Sequence, residues 1–170
     1  GHLMEAAAML GAEGVRCRYV LAGAGPEREA LQGQVDTAGL GDRFDLIGYH
    51  EDVGGIYAAA DLVVQPSLWE GLSISLLEAM SLARPIVTTD IGSNLEVIGD
   101  SGSAVIVPSA DSQSLADAIA SLIADPVERE RISQKAMDVF AVGYTVDGML
   151  EAYMDCYRDL LSSERIQNLV

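Results

Sequence analysis

Glu70 and Glu78 stand eight positions apart in the stretch Pro66-Ser67-Leu68-Trp69-Glu70-Gly71-Leu72-Ser73-Ile74-Ser75-Leu76-Leu77-Glu78-Ala79-Met80. An apolar run, Leu62-Val63-Val64, comes just before, and a helix-like segment starts inside the stretch. The pattern predicts one carboxylate in a loop at a strand's end and the other in the first turns of the following helix. That is where open α/β sheets bind ligands. The two oxygens of a carboxylate match the two hydroxyls of a vicinal diol. Gly71 lets the chain bend sharply beside a ligand. The amides of residues 72–76 would be the unpaired donors of a helix N-terminus, which holds phosphate without a metal or a lysine. A diol acceptor beside an anion cradle is a pattern suited to a sugar nucleotide.

Each of these residues also has a plainer reading. Ser75-Leu76-Leu77-Glu78 fits a capping box, in which Glu78 would serve only its own helix. Ser75, Glu78 and Ser81 share one polar stripe. Glu70 has no helix to cap, so its alternative is a solvated loop carboxylate. Gly23-Ala24-Gly25-Pro26-Glu27-Arg28 lies between a strand and a helix, as a phosphate-binding loop would. Arg28 replaces the third glycine of G-x-G-x-x-G, so a nicotinamide cofactor is not expected. The turn is either a tight connection or a place where a ligand approaches the backbone. Gly71-Leu72-Ser73-Ile74-Ser75 mimics G-x-S-x-G but lacks the last glycine. His50 precedes that serine, against the order Ser, Asp, His of such hydrolases. With no Asp-x-Asp and no His/carboxylate cluster, neither a bound metal nor a cofactor is expected.

Short apolar strands alternating with helices must position these groups. Strands are predicted over Cys17–Ala22, Phe44–Ile47, Leu62–Gln65 (buried), Pro85–Thr89 and Ala104–Val107. Helices are predicted over Glu5–Leu10, from Pro26 to about Ala38, Asp52–Ala60, from Ser73 or Ser75 to about Ala83, and Asn94–Ile98. Leu115, Ala118, Ile119 and Leu122 mark a further helix by their spacing. Asp125-Pro126 ends it and starts another, with Asp125 as N-cap. Val146, Met149, Leu150, Tyr153, Tyr157, Leu160 and Leu161 share one face of a long final helix. The expected fold is α/β: a Rossmann-like, doubly wound parallel sheet with helices on both faces and a helical C-terminal segment. Five strands are read where such a sheet has about six, so the first strand is expected to be missing, ahead of the first helix.

The 170 residues suit one domain, and a 49% apolar composition is enough for a core. Gly1-His2-Leu3-Met4 reads as a vector remnant, leaving 5–170 as a truncated domain. The net charge of −16, with Lys135 the only lysine, excludes a basic footprint for nucleic acid. It also argues against contact of this domain with an anionic membrane. Cys17 and Cys156 read as reduced thiols, which suggests a cytoplasmic protein.

The segment Phe44–Val107 resembles the donor-binding, C-terminal half of a retaining GT-B glycosyltransferase of group 1. The residues that carry the resemblance are Asp61-Leu62-Val63-Val64-Gln65-Pro66-Ser67, the pair Glu70 and Glu78 spaced as E-x7-E, and Glu78-Ala79-Met80. Arg84-Pro85-Ile86-Val87-Thr88-Thr89-Asp90 and Asn94-Leu95-Glu96-Val97-Ile98 complete the set. The Gly23/Gly25 turn and the Asp-Pro break extend it over nearly all of residues 5–162. The resemblance implies that Glu78 holds the donor ribose and that Glu70 faces the transferred sugar as the catalytic-site carboxylate. It implies that the amides of Leu72, Ser73, Ile74, Ser75 and Leu76, after Gly71, cradle the diphosphate and sugar. Gly23 and Gly25 would line the nucleotide cleft, and Tyr49 and His50 would lie near the base. The donor would be a UDP- or GDP-sugar, used with retention of configuration and without a metal.

The chain departs from the family at Ala83, usually glycine, and at Ser73, usually glycine or proline. The family's Arg/Lys pair for the diphosphate and its N-terminal acceptor domain would both precede residue 5. Any membrane contact would be made through that domain. The fragment alone is expected to be inactive. A sugar-nucleotide epimerase, a phosphorylase on the same fold, or a non-catalytic nucleotide-binding module are the alternatives. A phosphorylase would need pyridoxal phosphate, and Lys135 lies in a late helix, badly placed to hold it.

Overall fold

Turn residues and caps punctuate the computed structural model, which describes residues 1–162. Residues 163–170 of the expected domain lie outside the described residues. In chain order the elements are α1 (His2–Ala12), β1 (Tyr19–Ala22), α2 (Arg28–Thr37), β2 (Phe44–Gly48), α3 (Val53–Ala59), β3 (Val63–Gln65) and α4 (Ile74–Ser81). There follow β4 (Ile86–Thr89), α5 (Gly92–Ile98), β5 (Val105–Val107), α6 (Ser112–Ala124), α7 (Pro126–Gly143) and α8 (Val146–Ser162).

Alternation with a period of two decides which helices cover which face. Val64, Val87, Val105 and Val107 meet Ala6 and Leu10 of α1 and Leu115, Ile119 and Leu122 of α6. Their neighbours Val63, Ile86 and Ile106 meet Leu76 and Met80 of α4, Val97 and Ile98 of α5, and Ala136 of α7. Helices therefore lie on both faces of the β3–β4–β5 sheet, whose strands are parallel. β1 and β2 form a second parallel pair. Their core is Tyr19 stacked on Phe44 at a centroid distance of 4.5 Å, with Val35, Leu40, Met4 and Ala7 around them.

The five described strands thus fall into two sheets, β1–β2 and β3–β4–β5, rather than one. Among the described residues no ladder joins β1 or β2 to β3, β4 or β5. This also explains why β3, expected to be buried, is only half-buried: it is an edge strand. α1 starts at His2, and Met4 is buried in the β1–β2 core, so residues 2–4 take part in the fold whatever their origin.

Other boundaries have local causes. Pro26 does not open α2; it occupies a turn in which the Arg28 amide donates to the Gly25 carbonyl. Proline fits the second position of such a turn. Asp52 caps α3, and Asp125 caps α7 with Pro126 in the first turn. The apolar face predicted for α8 is formed but not covered: none of its described residues is buried. The helices that precede it already cover both faces of the larger sheet.

Candidate functional site

Ser73 organises the segment after β3. Its backbone is extended (φ −80°, ψ 100°), which makes it the N-cap of α4. Its hydroxyl oxygen accepts from the Leu76 amide at 3.3 Å and from Gln65 Nε2 at the end of β3. Counted from this cap, Leu76 is the third helical residue and Glu78 the fifth. A capping box needs the acid at the third position, so the Ser75–Glu78 box is not formed. Glu78 instead points its carboxylate at a neighbouring element. Oε2 accepts from the Tyr57 hydroxyl of α3 at 3.2 Å, and the same hydroxyl lies 3.2 Å from the Ser75 carbonyl. Burial raises the pKa of the Tyr57 phenol, and the Glu78 carboxylate adds to the rise.

The cap also corrects the amide cradle. Of the five amides expected to face a ligand, that of Leu76 is consumed by Ser73. Ile74 and Ser75 head the helix, both exposed, whereas Ser73 itself is buried. At the other end, α4 closes with the Arg84 amide on the Ala79 carbonyl (3.0 Å) and Ala83 at φ +49°. That is a Schellman motif with alanine where glycine is preferred.

Glu70 is exposed in the loop, but it is held. Ser67 Oγ donates to Glu70 Oε1 at 2.9 Å, and Thr89 Oγ1 donates to the Ser67 carbonyl at 2.6 Å. Behind these lies a buried polar layer. Asn94 Nδ2 donates to Thr88 Oγ1 (2.8 Å) and to the Thr89 carbonyl (3.2 Å), and Thr88 Oγ1 donates to the Gln65 carbonyl (3.3 Å). The loop is therefore tied to the C-terminal end of β4 through its backbone and through Ser67. Gly71 does not take positive φ, and a Cβ there would meet no atom of the chain. The expected sharp bend does not depend on it. Trp69, beside Glu70, is 83% exposed.

Gly23, Gly25, Tyr49 and His50 lie in the segments that follow β1 and β2 of the other sheet. Gly23 (φ +141°) ends β1 and donates its amide to the Gly48 carbonyl at the end of β2, 2.7 Å away. Arg28, in place of the third glycine, donates to the Leu46 carbonyl and ties α2 to β2. A Cβ at Gly23 or Gly25 would meet open space. Tyr49 is 79% exposed, and His50 Nδ1 lies 3.1 Å from the Asp52 carbonyl. All the expected positions thus follow the carboxyl ends of parallel strands. They form two groups: Glu70–Glu78 after β3, and the Gly23 and Tyr49 turns after β1 and β2. Among the described residues, no group of three His, Cys, Asp or Glu side chains is arranged to hold a metal. No described helix is long and apolar enough to cross a membrane.

Tyr57, Ser67 and Thr89 are not among the site residues expected from the sequence. Each acts through a hydroxyl contact with a carboxylate or the loop, and spacing rules cover no such contact.

Residues 1–139 match the family model described as glycosyl transferases group 1. The chain belongs to the group 1 glycosyl transferases. This group 1 domain is 34% identical over 161 residues to the alpha-D-kanosaminyltransferase of Streptomyces kanamyceticus, covering 94% of this chain and 42% of that protein. It is 29% identical to the lipopolysaccharide core biosynthesis mannosyltransferase LpsB of Rhizobium meliloti (strain 1021), covering 77% of this chain and 38% of LpsB. It spans less than half the length of these curated relatives. Its fold matches Alr3699/HepE of Anabaena, solved in complex with UDP, at a TM-score of 0.84 and 22% identity over 93% of this chain and 44% of that one. It also matches the C-terminal domain of a group 1 family protein, LpcC of Francisella tularensis, at a TM-score of 0.73 and 29% identity, covering 85% and 78% of the two chains.

Proposed function

We propose that this chain is the donor-binding half of a retaining glycosyltransferase, which moves a sugar from a nucleoside-diphosphate sugar to an acceptor. The observation that carries the reading is Glu78: its carboxylate does not cap α4, and it is held by Tyr57 from the neighbouring helix. Its role is to accept from the two ribose hydroxyls. Glu70, braced by Ser67, contacts hydroxyls of the transferred sugar. The amides at the head of α4 face the diphosphate, where the helix dipole favours negative charge. This is how a domain of charge −16 accepts an anion: the local dipole acts at contact, whereas distant charges are screened. Gly23 and Gly25 admit the nucleotide to the backbone, and the Gly48–His50 turn flanks the base. The protein contributes positioning and stabilisation of the departing diphosphate.

The UDP complex of HepE, its UDP-glucose complex and the C-terminal placement of the LpcC match support this reading. On this reading the acceptor site and the cations opposing the diphosphate lie outside this chain, which spans less than half the length of its curated relatives. The two free cysteines suit a cytoplasmic setting.

Calorimetric titration of UDP, GDP and their sugars against the full-length protein tests it. One nucleoside diphosphate should bind. Glu78→Ala should weaken it by about 10- to 100-fold, the loss of charge-assisted hydrogen bonds worth roughly 1.5–3 kcal/mol. Absence of any nucleoside diphosphate binding sinks the proposal. Unchanged affinity in Glu78→Ala removes the ribose role.

A further inference from the structure

Glu78 is half-buried on a long, rotatable side chain, which left to itself would sample several rotamers. Tyr57 restricts it. The ring of Tyr57 packs against the cluster containing Leu76, Ala79 and Met80, so its position is fixed by α4's own apolar face. Its hydroxyl then reaches both Glu78 Oε2 and the Ser75 carbonyl, at 3.2 Å each. A phenol has one proton, and an ionised carboxylate and a carbonyl are acceptors only, so that single proton serves both. Glu78 Oε1 carries no hydrogen bond within the described residues. An ordinary phenol, with a pKa of about 10, already keeps its proton at neutral pH, and burial of Tyr57 acts in the same direction.

We propose that Tyr57 is a positioning residue for nucleotide recognition: it holds Oε2 of Glu78 and thereby presents Oε1, with the remaining lone pair of Oε2, to the ribose diol. The inference rests on the reading of Glu78 as the ribose carboxylate. Its physical basis is preorganisation. A rotamer-rich side chain fixed before the ligand arrives loses less freedom on binding, and the gain is confined to the ligand atoms that side chain touches. Tyr57 thus becomes a determinant of discrimination between ribonucleotides and their deoxy counterparts without contacting the nucleotide. In this arrangement α3 supplies the donor and α4 the carboxylate, while the Ser73 cap sets the register that turns Glu78 toward α3.

The test uses the full-length protein as wild type, Tyr57→Phe and Glu78→Gln, each titrated with UDP and with 2′,3′-dideoxy-UDP (GDP and its dideoxy form if guanine is the base). Tyr57→Phe keeps the ring in its packing site and removes only the hydroxyl. It should weaken the ribonucleotide by about 3- to 10-fold and leave the dideoxy form unchanged. Glu78→Gln should abolish most of the preference for the diol. Equal losses on both ligands in Tyr57→Phe, or no loss on either, overturn the positioning role. If Glu78→Gln removes the preference and Tyr57→Phe does not, the Tyr57 inference alone fails. If neither variant changes the preference, the ribose assignment of Glu78 fails and takes this inference with it.

Discussion

Replacing Ser73 with alanine should destabilise the chain far more than a surface serine would. Ser73 is 3% exposed, and its hydroxyl oxygen accepts from two donors. Loss of an N-cap side chain costs about 1 kcal/mol. The second donor, Gln65 Nε2, would be left without an acceptor, and an unsatisfied buried group costs about 1–3 kcal/mol. Gln65 Oε1 already lacks a partner, so both ends of that amide would then be unpaired. The sum is about 2–4 kcal/mol, a large part of the roughly 5–15 kcal/mol that holds a domain together. Urea unfolding followed by far-UV circular dichroism reads it directly. With a slope of about 2 kcal/mol per molar, the midpoint should fall by about 1–2 M. The double variant Ser73→Ala/Gln65→Leu removes both partners, which is nearly neutral for the pair. It should recover the amide's share and leave only the cap loss of about 1 kcal/mol. A loss below about 0.5 kcal/mol in the single variant refutes the dual role. So does a double variant no more stable than the single.

Two further outcomes follow from the backbone and from burial. Ala83 holds φ +49° at the end of α4, a conformation costing about 1–2 kcal/mol for a residue with a Cβ. Ala83→Gly should therefore raise stability by about 0.5–1 kcal/mol after the entropy of glycine is charged, or about 1–4 °C in the melting temperature. A lower melting temperature contradicts the strain. Burial raises the phenol pKa of both Tyr19 and Tyr57. The folded chain then keeps protons that the unfolded chain loses above its ordinary tyrosine pKa of about 10. This contribution is complete below that pH and disappears as pH rises through the folded values. Urea midpoints should fall on the alkaline side, less steeply in Tyr57→Phe. An identical slope in the variant excludes Tyr57 as a contributor.

The α/β alternation is readable from the residues because short Val- and Ile-rich runs are bounded by glycine, proline and acidic caps. Asp125-Pro126 announces the start of α7 without help from tertiary structure. Other features have no local signature. Ser73 and Ser75 both suit a cap, and the choice between them depends on an extended backbone at Ser73 and on Gln65 from the preceding strand. That choice moves Glu78 from the third helical position to the fifth and decides what its carboxylate can do. Tyr57 is 21 residues from Glu78, and only the packing of α3 on α4 brings them together. The spacing of Val146, Met149, Leu150 and Tyr153 marks an amphipathic helix, but periodicity reports a face, not whether something covers it. The division into two sheets is equally invisible locally, since each strand reads as buried or half-buried on its own.

α1 gives the division of the sheet a mechanical meaning. Ala6 belongs to the core beneath β3–β4–β5, and Ala7, its immediate neighbour, to the core of β1–β2; both are fully buried. Two adjacent methyl groups thus act as a joint, and the set of the two sheets depends on how closely the helix can approach each. A ligand touching both the Gly23 turn and the Glu70 loop would brace the same two sheets. At a concentration of 100 times its Kd it adds about 2.7 kcal/mol against unfolding. Conversely, a larger side chain at position 6 or 7 pries the sheets apart, and that cost would surface as lost affinity at residues the ligand never meets.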